Sequence, residues 1–185
     1  MAQTTKNLVP LHRAEWFRRL DALGGATAGE SGLKCASLCT GRCCPHAAMA
    51  TREPAYTVSH VAIMLPFEME YIVARTGVHP ARFRRTPAKI APGVVVEIGS
   101  FDIEMPCPFL TDDFQCWGYA FRPMDCRSFP LVPVFGDGGE LTFRLGTGCP
   151  SLDTFSPAYQ ARLKAAWRNL LPHLSADYRA VYNRL

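Results

Sequence analysis

Eight cysteines constrain this chain more than any other feature. Cys35, Cys39, Cys43 and Cys44 crowd into one short stretch, while Cys107, Cys116, Cys126 and Cys149 are spread through a second block. Cysteines serving as isolated core residues would not bunch in this way. The opening Met-Ala-Gln-Thr-Thr-Lys-Asn carries no apolar export segment, so the expected compartment is the cytoplasm. Thiols are kept reduced there, and stable disulfides are not the default. Bunched thiols in a reducing compartment are expected to be metal ligands.

Composition narrows the class. The 185 residues are 48% apolar and 19% charged, which excludes a disordered chain. A chain of this length suits one domain, burying about 70% of the surface its unfolded form exposes. Fifteen prolines and fourteen glycines without a Gly-X-Y period predict many loops and no collagen helix. No apolar run is long enough for a membrane span. The formal charge of +4 invites a nucleic-acid partner. Eight thiolates holding two dications, or two doubly positive clusters, would bring that charge to about zero. The basic excess therefore reads as compensation for thiolates, and no nucleic-acid partner is expected. A metal ion or cluster is the expected partner; a protein partner is left open.

Local patterns place the cysteines. Leu11, Ala14, Phe17, Leu20 and Leu23 predict a helix over 8–23, stopped by Gly24-Gly25. A loop over 24–34 leads to the first cysteines. Val58 to Leu65 is apolar and extended. Pro66 opens a helix through Val73 that Gly77 stops, and a second short helix from Pro80 carries Arg82, Arg84 and Arg85, with Lys89 beyond it. Val94–Ile98 and Phe101–Met105 form a hairpin around Gly99-Ser100, delivering Cys107. A second hairpin joins Val132–Phe135 to Glu140–Leu145 and ends before Cys149. Ser156-Pro157 caps a helix to Leu170 with Tyr159, Leu163, Ala166, Trp167 and Leu170 inward. Pro172 breaks it, and residues 175–185 form a last helix with Tyr178, Val181 and Tyr182 inward.

Thiolate is a soft ligand that selects zinc or iron–sulfur clusters. Eight cysteines fit two four-sulfur sites, or one cluster with additional sulfurs. Adjacent Cys43 and Cys44 cannot easily point the same way, so they serve two centres, or a centre and its wall. Cys44, Cys107 and Cys149 each precede proline, which forces extended geometry and helps aim a sulfur away from the chain. The spacing matches neither a zinc finger nor a ferredoxin run.

The motif Cys-Ala-Ser-Leu-Cys-Thr-Gly-Arg-Cys-Cys over 35–44 resembles the opening signature of the YkgJ-type cysteine-cluster family, a zinc- or iron-chelating domain. Cys107-Pro108-Phe109-Leu110 resembles the family's Cys-Pro-Phe-Leu. The run from Cys116 through Tyr119, Arg122-Pro123 and Cys126-Arg127 to Phe129-Pro130 resembles its most specific segment. Leu65-Pro66-Phe67-Glu68 resembles the helix start between the blocks, and Gly148-Cys149-Pro150 the closing cysteine. The resemblance spans 33–150. It departs at the first pair, where three residues separate Cys35 from Cys39 and the family usually has two. A relative, the flagellin lysine methylase, is similar through this domain and carries an iron–sulfur cluster. The resemblance thus implies metal binding; methylation is not carried over, because no glycine-rich methyl-donor site is evident.

Neighbouring residues have ordinary readings beside functional ones. Arg42 and Arg127 could offset thiolate charge or serve as surface or carboxylate partners. Arg122 could pair with an acidic residue or a loop carbonyl, and Tyr119 reads as a packed ring. His46 is a possible ligand, while His60 and His79 lack ligand spacing. The Arg82, Arg84, Arg85 and Lys89 run reads as a solvated face.

The expected fold is α+β: a small, irregular, metal-organised domain, with helices flanking two short β-hairpins. Residues 1–185 form a single domain, with a cysteine-cluster core over 33–150 and a C-terminal helical segment over 156–185. The expected function is a cytoplasmic metal-binding protein whose eight cysteines hold one or two iron–sulfur clusters, 4Fe-4S ahead of Zn2+, in a redox or cluster-dependent role. A structural zinc-binding interaction module and a cluster-dependent protein-modifying enzyme are the alternatives.

Overall fold

A computed structural model describes residues 11–27, 62–102, 104–113, 115–136, 139–146, 149 and 152–183. Among them are five α-helices and two two-stranded antiparallel sheets, an α+β fold. The helices are α1 (Arg13–Thr27), α2 (Glu68–Thr76), α3 (Met124–Ser128), α4 (Pro157–Leu170) and α5 (Ala176–Tyr182). The strands are β1 (Phe83–Ala91), β2 (Val94–Phe101), β3 (Leu131–Phe135) and β4 (Leu141–Leu145). No described helix is long and apolar enough to cross a membrane.

Helix α1 runs through Gly24-Gly25 to Thr27, further than its glycines predict. Each glycine costs about 1 kcal/mol in a helix relative to alanine. Tertiary contact overrides that cost. Trp16, Leu20, Leu23 and Thr27 form one buried face, and the Thr27 hydroxyl donates to the Leu23 carbonyl at 2.6 Å. That face lies against α2 and α4.

The first hairpin differs from the one the sequence predicts. Its turn is at Pro92-Gly93, and β1 pairs with β2 from Phe83↔Phe101 to Ala91↔Val94. Gly93 has φ 77°, the left-handed conformation that the third residue of a Pro-Gly turn needs. Gly99-Ser100 continues β2 and pairs with Met64 on its other side. The short helix expected from Pro80 is a single 3-10 turn, Pro80–Arg82, capped by His79 Nδ1. Arg84, Arg85 and Lys89 therefore sit on a strand. Arg84 pairs with Asp102 at 2.8 Å and Glu104 at 2.7 Å, and Arg85 with Glu70 at 3.0 Å. Arg84, Arg85 and Lys89 are exposed, as a solvated face requires, and the two arginines also have acidic partners there.

The remaining elements follow the sequence closely. Strands β3 and β4 pair from Leu131↔Leu145 to Phe135↔Leu141. Ser156 accepts from the Tyr159 amide, and α4 buries Tyr159, Leu163, Ala166, Trp167 and Leu170. Leu171–His173 forms the 3-10 break around Pro172, and Ser175 caps α5. Phe135, Trp167 and Tyr182 meet edge to face and join β3, α4 and α5 in one core.

Helix α2 starts at Glu68, two residues past Pro66, and ends on Gly77. Glu68 is 2% exposed. Its carboxylate accepts from the Leu65 amide at 2.8 Å and from the Met124 amide at 2.8 Å, tying α2 to α3. Burial raises its pKa from 4.5 to about 7 despite these two donors and Arg127 nearby. The folded chain thus holds a proton that the unfolded chain has released between those values, so this group's stabilisation is fullest below about pH 4.5. It is lost as pH rises towards 7, by about 3 kcal/mol. Denaturant unfolding at pH 5 and pH 8 checks this: Glu68→Gln should show a smaller decline between the two than the wild-type chain. An equal decline in both assigns the pH dependence to other groups.

Candidate metal centre

Cys107 and Cys116 belong to one tight turn. The Leu110 amide donates to the Cys107 carbonyl at 3.0 Å, Leu110 bridges Cys116, and the Trp117 amide donates to the Phe109 carbonyl at 3.0 Å. Gly118 closes the turn. A Cβ there would stand 2.4 Å from the Phe109 ring, so only glycine lets this backbone lie against it. Trp117 stacks edge-on against Phe109 and donates through Nε1 to the Pro108 carbonyl at 2.9 Å. Cys107 is buried, and Cys116, Cys126 and Cys149 are partly buried. Among the described residues no disulfide joins these four to one another.

Cys126 lies in α3, and that helix is a hub. Met124 is held by Glu68. The carboxylate of Asp125 accepts from the Ile63 amide at 3.1 Å and from the Tyr182 hydroxyl. Burial raises the Asp125 pKa to about 6, against the pull of those two donors. Arg127 is buried and donates to three oxygens: Thr27 Oγ1 at 3.0 Å, the Arg122 carbonyl at 2.6 Å and the Ala120 carbonyl at 2.5 Å. These contacts make Arg127 a clamp on the loop before α3 and on the end of α1, with the Glu68 carboxylate favouring its charge.

The placement of these clamps bears on the first cysteine block. Thr27 is the last residue of α1, and Ile63 stands at the start of the chain's return. Both are fastened to α3, on Arg127 and Asp125, the two residues that flank Cys126. The two described ends that flank the segment carrying Cys35, Cys39, Cys43 and Cys44 are thus both bonded to α3. Cys35 follows Thr27 by eight positions, and an extended chain of that length reaches at most about 28 Å. Those four cysteines, with Arg42, His46 and His60, lie outside the described residues.

Arg122 is the other unusual group. Its guanidinium carbon lies 3.5 Å from the Tyr119 ring centroid. Its Nε is buried with no hydrogen-bond partner among the described residues. Burial opposes its charge, while Tyr119, Cys116 and Cys126 favour it, and the balance raises its pKa. Cys116 and Cys126 stand ten positions apart, on either side of the 3-10 turn Tyr119–Phe121.

No protein-family model, curated protein or solved structure matches the chain. Among the described residues no group of three or more His, Cys, Asp or Glu side chains stands together as a metal site. A centre that draws on the first block falls outside those residues. The donor chemistry of the second block, the thiols of Cys107, Cys116, Cys126 and Cys149, is of the kind a thiolate-bound metal takes. His79 takes no part, since its ring caps the 3-10 turn.

Sequence reasoning missed Thr27 and Asp125, and named Glu68 and Tyr182 without their tasks. Glu68 follows Pro66 by two residues at a helix start, a position where a carboxylate can fold back on the preceding amides. That signal was available. The contacts of Thr27 and Tyr182 span long sequence separations and leave no local pattern.

Proposed function

We propose that this chain is a thiolate-based metal-binding protein of the cysteine-cluster type, in which both cysteine blocks contribute to the centre. The observation that carries the reading is the fastening of Thr27 and Ile63 to the two neighbours of Cys126. Both described ends that flank the segment with four cysteines are thus tied to the helix that bears Cys126. Cys35, Cys39, Cys43, Cys44, Cys107, Cys116, Cys126 and Cys149 are the ligands proposed. An iron–sulfur cluster ranks ahead of zinc on the family resemblance, since an all-cysteine donor set suits both. Bound, such a centre would supply either electron transfer or a rigid cross-link. The chain's own residues orient the sulfurs: Glu68 and Arg127 set α3, and the Cys107–Trp117 turn sets the other arm. The reducing cytoplasm suits these thiols.

Anaerobic purification with metal analysis and a visible spectrum tests the reading. A broad shoulder near roughly 400 nm marks iron–sulfur; a colourless chain with stoichiometric zinc marks the other centre. Cys126→Ser should lower the metal content of the whole protein. Wild-type chain that binds neither metal, or Cys126→Ser with unchanged content, contradicts it.

A further inference from the structure

We propose that the open edge of β2 is a docking edge for a second copy of this chain, the two copies pairing Val94–Ile98 antiparallel about a two-fold axis at Val96.

The first hairpin guards one of its edges and leaves the other bare. A single bond fixes which backbone groups face outward: the Gly99 carbonyl accepts from the Met64 amide at 2.9 Å, on the side away from β1. In an antiparallel strand alternate residues turn their N–H and C=O to the same side. Val95 and Glu97 therefore also turn theirs away from β1. Their partners across the hairpin are Lys89 and Pro87. Pro87 has no N–H to offer, and it blunts the β1 edge with Arg85 and Lys89 on either side. The β2 edge has no such guard. Among the described residues nothing pairs with it from Val94 to Ile98 on that side. The run Val-Val-Val-Glu-Ile carries one charge, and Val94 and Val95 are 43% and 59% exposed. An unpaired apolar edge is a template for another strand, and a two-stranded sheet gains stability from further strands.

The edge is self-complementary in one register. Met64 takes the edge at Gly99 and the turn at Pro92-Gly93 ends it, so the open run is centred on Val96. A two-fold pairing that uses the whole run sets Val96 against the partner's Val96. Val95 then exchanges both backbone hydrogen bonds with the partner's Glu97. On one face Val94, Val96 and Ile98 meet the partner's Ile98, Val96 and Val94, a row of the β-branched pairs that stabilise sheets. On the other face each Glu97 lies opposite a valine, so like charges do not meet. Centring on Glu97 would oppose the two carboxylates and collide with Met64, and centring on Val95 would run into the turn. Because both copies use the same edge, the contact closes at two.

Sedimentation velocity of the full chain under reductant, from roughly 1 μM to 1 mM, tests this over the range that a contact of less than standard size populates. The wild-type chain should pass from monomer to dimer and stop there. Val95→Pro removes an outward N–H that β1 does not use, and it should weaken the dimer about 10- to 100-fold through the donor lost from each copy. Hydrogen exchange at the Val95 and Glu97 amides should slow as concentration rises, while exchange at Arg85 and Lys89 on the guarded edge stays constant. If Val95→Pro does not fold, this exchange pattern carries the test together with Val94→Lys, which sets a charge against the partner's Ile98 and should also weaken the dimer. A wild-type chain that stays monomeric throughout overturns the inference. So does a dimer that leaves Val95 and Glu97 exchange unchanged or is indifferent to both substitutions, and so does assembly that grows past the dimer. None of these outcomes touches the metal content, so the metal-binding reading stands or falls separately.

Discussion

Stripping the metal should abolish the tertiary structure of the cysteine region while sparing part of the C-terminal helices. Structural metal centres contribute on the order of 10 kcal/mol to folding, which rivals the whole net stability of a domain. Among the described residues of the Cys107–Trp117 turn, Phe109 is the one deeply buried large side chain, and Trp117 is 53% exposed. Helix α4 differs, with five buried side chains set against α1, α3 and β3. Hydrogen exchange after anaerobic chelation should show lost protection at the amides of Leu110, Trp117 and Arg127. Amides within 157–170 should retain some. Near-UV circular dichroism should collapse in parallel. An apoprotein with unchanged protection and an unchanged melting curve would exclude a structural centre.

Arg127→Met should be the most damaging substitution outside the cysteines. It removes the donors to Thr27, Ala120 and Arg122 together. Two carbonyls and a hydroxyl then lose partners in a buried setting, and Glu68 loses the cation that favours its charged form. Breaking a buried, hydrogen-bonded charge in this way costs about 3–5 kcal/mol. For a domain of this size the melting temperature should fall on the order of 10 °C. Arg127→Lys keeps the charge but cannot reach three acceptors from a planar fork, so it should fall between the two. Chemical denaturation of the loaded protein reads the difference. A variant within 1 kcal/mol of wild type, a margin typical of surface changes, would show that the clamp is dispensable.

Elements with local causes were legible in the sequence. Helix α4 carries its cap, its first-turn proline and its complete buried stripe within one stretch, so period and boundary agree. The second hairpin encloses a run of turn residues, and its strands lie within a residue of the expected ranges. The first hairpin misled because two turn signals compete, Pro92-Gly93 and Gly99-Ser100. The second lost because β2 is paired on both sides there, with Arg84 and Arg85 across one edge and Met64 on the other. Pro80 reads as a helix start for the arginine-rich stretch after it, yet pairing with β2 from Phe83↔Phe101 onward makes that stretch a strand. For the site, the cysteines and the stacked Tyr119–Arg122 pair were visible as residues. The hub role of α3 was not, because its partners lie 56, 62 and 100 positions away in the chain.

Those separations set an order of events during synthesis. The contacts that fasten Thr27 and Ile63 cannot form until Asp125 and Arg127 have left the ribosome. At about 5–20 residues per second, the thiols Cys35 to Cys44 spend several seconds without their anchor. Closing a loop of this length then costs roughly 3 kcal/mol in chain entropy, and only the finished hub can offset it. The first block is therefore made early and fastened late, so its thiols are open to stray metals and oxidants before α3 exists.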